Sequence, residues 1–183
     1  MAMDRETIQD IAIKTLISNN AASMHDIAMA AGIGRTTLHR YYASREELLR
    51  SLIASCFDEI EQIVAISHMG QVPALESLEN LVLALVPIGH RFHFLIGAWP
   101  FDNSDEDFKA REVRLLGQFE ALVQRGQGEG AFRNDLPTRW IIDTITAMLF
   151  MAWESISEGY TAPRDASRFV LSTLRQGIGG RPS

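Results

Sequence analysis

The chain has 183 residues, of which 46% are hydrophobic and 22% charged, and its formal net charge is −6. These proportions fit a globular protein and exclude a disordered or collagen-like chain, while a single cysteine, Cys56, excludes a disulfide scaffold. The strongest apolar stretches, 81–89 and 147–153, fall far short of the roughly 20 residues that span a bilayer, and residues 1–6 carry no basic-then-apolar leader; a cytoplasmic protein is expected.

Helical periodicity runs almost throughout. Ile8, Ile11, Ala12 and Leu16 recur at three- and four-residue spacing, which predicts an amphipathic helix over 4–18 that ends at Asn19-Asn20. Ser23 with Asp26 three residues on starts a very short helix, and Gly32 stops it. A third short helix is expected over 35–42. Ser44-Arg45-Glu46-Glu47 then reads as a capping box that opens a long helix to about residue 67. Further helices are predicted over 74–86 and 91–98, then from Asn103-Ser104-Asp105 to a glycine-rich loop at 126–130. Pro137 opens another to about Glu158, and Pro163 a last one to about Gln176. The fold class is all-α.

Two short helices joined by Ala31-Gly32-Ile33-Gly34 form a helix-turn-helix, with Ile27, Ile33 and Leu38 as its small core. Such a unit can place its second helix in a major groove. It can equally be a helical hairpin of no special purpose. Charge bears on the choice: residues 27–45 hold Arg35, Arg40, Arg45 and His39 but no acid, on an otherwise acidic chain.

The run from Asp26 through Leu49 resembles the signature of the TetR-type, or tetracycline-repressor-like, transcriptional regulators. The likeness is specific over the first quarter of the chain and elsewhere concerns architecture alone. It implies a three-helix DNA-binding head on residues 1–46 and a six-helix body for ligand binding and dimerisation on 47–183. It further implies DNA contacts at Ser23, Met24, Arg35, Thr36, Thr37, His39, Tyr41 and Arg45. On physical grounds Arg35, Thr36 and Thr37 fall where base edges are reachable, and Ser23, Arg45 and His39 where phosphates are. Departures from the family pattern are Gly34 for the usual Ser, which removes a side-chain helix cap, His39 for Tyr, Tyr42 for Phe and Arg45 for Lys. Tyr42 is expected in the core.

Between Trp140 and Ile156, 12 of 17 residues are apolar, so this helix must be covered on nearly every side. That suits a central helix of a monomer or a dimer seam. The resemblance favours the seam, formed by the last two helices through Ile145, Leu149, Trp153, Phe169, Val170 and Leu174. It likewise turns an aromatic and methionine set that could be plain core into a cavity wall: Phe92, His93, Trp99, Phe119, Met148 and Met151. Arg111 and Arg114 are expected to face solvent, leaving this wall few fixed positive charges. His90 and His93 share a helical face, yet a metal site needs three or four ligands and no third is apparent; no cofactor is expected. Enzyme signatures are absent.

The sequence therefore predicts a non-enzymatic, ligand-responsive regulator, most simply a repressor that leaves a palindromic operator when a small apolar effector binds. Its partners would be double-stranded DNA, the effector and a second copy of itself, with no membrane. The rival is a helical small-molecule-binding or enzymatic protein whose helix-turn-helix is incidental.

Overall fold

A computed structural model describes residues 4–67, 69–98 and 105–180. Among these residues there are nine α-helices, one 3-10 turn and no strand beyond isolated bridges. They are α1 (Arg5–Ser18), α2 (Met24–Ala30), α3 (Arg35–Tyr41), α4 (Arg45–Ile66), α5 (Ala74–Leu85), the turn Val86–Ile88, α6 (Gly89–Ala98), α7 (Glu106–Gly128), α8 (Thr138–Ser157) and α9 (Pro163–Gly177). No helix among the described residues is long and apolar enough to cross a membrane.

The residues fall into two compact units. One holds Met1–Asp58 with His90–Asn103, the other Glu59–Gly89 with Ser104–Ser183. The first unit thus carries the expected head, but it also takes the start of α4 and all of α6 beyond Gly89.

In the first unit the starts of α1 and α4 are fixed by side chains. Asp4 Oδ1 accepts from the Thr7 backbone N–H at 2.7 Å, which caps α1. α1 then buries Ile8, Ala12 and Leu16 as the spacing predicts, but Ile13 takes the buried place expected for Ile11, which is only half-buried. Ser44 Oγ accepts from Glu47 N at 3.0 Å, while the Glu47 carboxylate reaches back one residue further, to Ala43 N at 2.8 Å. Tyr42 is fully buried, with the Arg5 guanidinium 5.2 Å from its ring centre.

In the second unit α8 packs on α7 and α9, and α5 on α7 and α9. The glycine-rich segment is not the loop its composition suggests. α7 continues through Gly128, and the chain turns only at Gly130, in the left-handed region at φ 71°. Gly126 is buried in the helix because the Phe132 ring lies over it, and a Cβ there would overlap that ring. The residue serves close packing rather than a turn.

Candidate nucleic-acid interface and effector site

The helix-turn-helix is built by local hydrogen bonding. Ser23 and Asp26 make a reciprocal capping box at the start of α2: Asp26 N donates to Ser23 Oγ at 3.3 Å, and Ser23 N donates to Asp26 Oδ2 at 2.8 Å. The Ser23 hydroxyl also donates to Asp26 Oδ2, at 2.7 Å. These bonds, the Ser23 backbone first, hold the Asp26 carboxyl below the usual carboxylate range. α2 ends at Gly32, with φ 62°, whose N–H reaches Met29 O at 3.0 Å while Ile33 N reaches Ala28 O at 3.0 Å. α3 begins after Gly34, which has no side chain to cap it.

α3 is anchored by Leu38, which is fully buried. Arg35, Thr36 and Arg40 are exposed, and Thr37, His39 and Tyr41 are half-buried. Arg35 Nε donates to His39 Nε2 at 3.4 Å, and the Arg40 guanidinium lies 5.8 Å from the Tyr41 ring centre. The face away from Leu38 therefore presents Arg35, Thr36, His39 and Arg40 together. Arg40 was passed over in the sequence, although its place in the acid-free run was signal enough.

Three expected contact residues do something else. Met24 is 8% exposed and belongs to the head's core. Ser23 spends its hydroxyl hydrogen on Asp26. Arg45 points its guanidinium into the connection before α2, donating to Ala22 O at 3.1 Å and Asn20 O at 2.6 Å. It uses two of its N–H groups to fix where α2 starts.

The family signature for bacterial regulatory proteins of the tetR family matches residues 19–52. Over 174 residues the chain is 34% identical to the HTH-type transcriptional repressor LfrR of Mycolicibacterium smegmatis, a match covering 95% of this chain and 89% of that protein. The chain belongs to the TetR family.

This TetR-family chain is also 25% identical over 174 residues to the HTH-type transcriptional regulator NfxB of Pseudomonas aeruginosa, covering 94% of this chain and 90% of that one. Among solved structures, the LfrR complex with proflavine matches with a TM-score of 0.67 at 25% identity, over 97% of this chain and 98% of that chain. The ketosteroid transcriptional regulator of Mycobacterium tuberculosis shares the fold, with a TM-score of 0.77 at 19% identity over 99% and 97% of the two chains. The protein is a ligand-responsive, DNA-binding transcriptional regulator.

The residues expected to line an effector cavity are divided between the two units. Phe92 and His93 are half-buried in the unit that holds the head, Phe119 and Met148 half-buried in the body, and Trp99 lies outside the described residues. Met151 is 62% exposed and faces solvent on α8 instead of lining a wall. A groove of about 420 Å³ in the body is lined by Ile63, Ile66, Ser67, Asn80, Leu83 and Ala84, none of them in the expected set. Arg111 does not face solvent. It is buried and gives Glu61 a two-pronged pair, Nε to Oε1 at 3.0 Å and Nη2 to Oε2 at 2.7 Å. Exposed Arg114 lies 3.7 Å from the same carboxylate. Among the described residues no three His, Cys, Asp or Glu side chains are grouped to hold a metal.

The expected dimer seam also needs correction. Ile145, Leu149, Val170 and Leu174 are at most 4% exposed within a single chain, so their side chains fill the protomer's own core. Trp153 is half-buried, with its side chain against Gly89. Of the six, Phe169 alone is exposed, at 48%. The large apolar side chains that α8 leaves in solvent are Trp140 and Met151, each 62% exposed.

Proposed function

We propose that this regulator is a homodimeric repressor that holds a palindromic operator through two copies of α3 and releases it when a small, largely apolar effector binds the body. The observation that carries the reading is the solvent face of α3, with Arg35, Thr36, His39 and Arg40 side by side and no carboxylate anywhere in 27–45. Arg35 and Thr36 are placed to read base edges, with Thr37 at their flank, while Arg40, His39 and Tyr41 suit phosphates. Two such faces about 34–36 Å apart would meet successive major grooves.

A second copy is supported by α8. Trp140, Ala147 and Met151 are exposed and stand seven and eleven residues apart, which aligns them on one helical face. We place the seam on this face of α8 and on the exposed Phe169 of α9. Repression and the effector class are suggested by LfrR, which is named a repressor and has been crystallised with proflavine, a planar aromatic amine. Phe119 and Met148 are retained as candidate contacts in the body. The buried Arg111 is already neutralised by Glu61, so an anionic effector would have to displace that carboxylate. Acting on double-stranded DNA, the protein would work in the cytoplasm, with no catalytic step.

The test is selection of bound duplexes from a random pool. A palindrome should emerge, and proflavine should lower affinity for it in an anisotropy titration. Failure to enrich any sequence would overturn the reading, and release by phosphorylated metabolites alone would overturn the effector class. Met151→Glu should give monomer in sedimentation and lose tight operator binding; a wild-type chain that sediments as a monomer at micromolar concentration would remove the dimer.

A further inference from the structure

Arg35 and His39 stand one turn apart on α3, a spacing at which helical side chains meet. Arg35 is exposed and His39 half-buried. The guanidinium gives its Nε–H to His39 Nε2 at 3.4 Å. Arginine has donors and no acceptor, so the imidazole accepts, and its ring proton is then on Nδ1. Among the described residues, Nη1 and Nη2 of Arg35 make no hydrogen bond or ion pair.

This bond selects the edge of the guanidinium that is on offer. The side edge, which includes Nε, is spent on His39. The end remains, with Nη1 and Nη2 as two donors in one plane. In a major groove guanine presents two neighbouring acceptors, O6 and N7. Adenine sets a donor amine beside its N7, cytosine shows a donor, and thymine one acceptor beside a methyl group. Guanine alone takes both nitrogens. An unheld arginine also loses much rotamer freedom when it settles on a base. A neighbour that already holds Nε reduces that loss, and preorganisation of this kind appears as affinity for the matching partner.

We propose that His39 aims Arg35, so that Nη1 and Nη2 read a guanine in each operator half-site. His39 is a positioning residue for the base contact, acting through Arg35. Its Nδ1–H stays available for a phosphate, so one imidazole links the base reader to a backbone contact that sets register. His39 is among this chain's departures from the family pattern, and the arrangement belongs to this chain. The inference rests on the operator-binding reading above and adds the base that is read and the side chain that directs its reader.

Two measurements on the full chain decide it. The first is anisotropy titration of the selected duplex and its single-base variants. The pair at which Arg35→Ala loses preference should hold a guanine, favoured about tenfold or more over adenine by the wild type. Replacing that base by 7-deazaguanine, which lacks the N7 acceptor, should remove most of the preference. His39→Phe should cut it to about threefold or less, while His39→Gln, which keeps an acceptor one turn along, should retain most of it. In an Arg35→Ala background His39→Phe should change the preference no further. Loss of a phosphate bond weakens every duplex alike and cancels in this ratio. A full preference in His39→Phe, a base other than guanine at that pair, or no altered preference in Arg35→Ala overturns the proposal. The second measurement is nitrogen NMR of the imidazole in the DNA-free protein. His39 should carry its proton on Nδ1 with Nε2 bare, and a proton on Nε2 overturns the pair. A random pool that enriches no duplex counts against the operator reading alone, and the imidazole spectrum then decides whether His39 holds Arg35.

Discussion

The head and the body use side chains in opposite ways. α2 and α3 have seven residues each, well below the length at which an isolated helix is stable. They persist because a capping box, a left-handed glycine and two buried anchors, Leu38 and Tyr42, each perform one separable task. α7 and α8 have 23 and 20 residues and are held by packing on neighbouring helices. In the head, function sits on side chains that packing leaves over, so it can be read residue by residue. In the body, function sits in the gaps between packed side chains, so it depends on all of them at once.

Breaking an anchor should show the contrast most strongly. Leu38→Ala should cost the head about 2–5 kcal/mol. Amide exchange of α1–α3 should accelerate while α7–α9 keep their protection; loss of protection in both regions together would mean that the head has no separate stability. Next in size, Gly126→Ala should cost the body about 1–3 kcal/mol by overpacking against Phe132. A urea titration followed by Trp140 and Trp153 emission reads it, and adding Phe132→Leu should restore most of the loss. If Gly126→Ala is neutral, the glycine is not there for Phe132.

The two arginines of the head should separate by kind of effect. Arg35→Ala should cost about 1–3 kcal/mol at particular base pairs and relax preference there. Arg45→Ala should weaken binding to all sequences alike and lower the melting temperature, since it frees the connection at Asn20–Ala22. Competition against a panel of single-base operator variants distinguishes them, and a change of base preference in Arg45→Ala without one in Arg35→Ala would reverse the assignment. The smallest effect is a gain. A Cβ at Gly34 would have Thr37 Oγ1 as nearest neighbour at 3.9 Å, and φ there is −70°. Gly34→Ser should therefore fit and stabilise α3 by a few tenths of a kcal/mol; a lower melting temperature would show that the site is less open than it looks.

What the sequence made legible follows the same division. The starts of α1, α2, α4 and α9, the turn at Gly32 and the missing cap at Gly34 all depend on neighbours within four residues, and each is found as expected. The burial of Met24 and the hydrogen bonds of Arg45 and Arg111 were not legible, because the partners of the two arginines are remote: Asn20 and Ala22 more than twenty positions away for the first, Glu61 fifty positions away for the second. The apolar run of α8 announced that the helix is covered, but periodicity does not say whether the cover is the same chain or another. Ile145 and Leu149 went to the core for that reason, and the exposed stripe passes through Trp140 and Met151. Gly126 was read as looseness because composition cannot show that Phe132 lies over it.

An acidic chain with an acid-free helix-turn-helix meets random DNA mostly with repulsion. Non-specific affinity comes from neutralising phosphates, and here the acid-free segment of the head supplies it against a net charge of −6 on the whole chain. Fewer molecules are then held on the vast excess of irrelevant sites, so a small number of copies suffices to keep one operator filled. The same arrangement makes occupancy answer to ionic strength, which would tie the output of the regulated gene to osmotic conditions as well as to the effector.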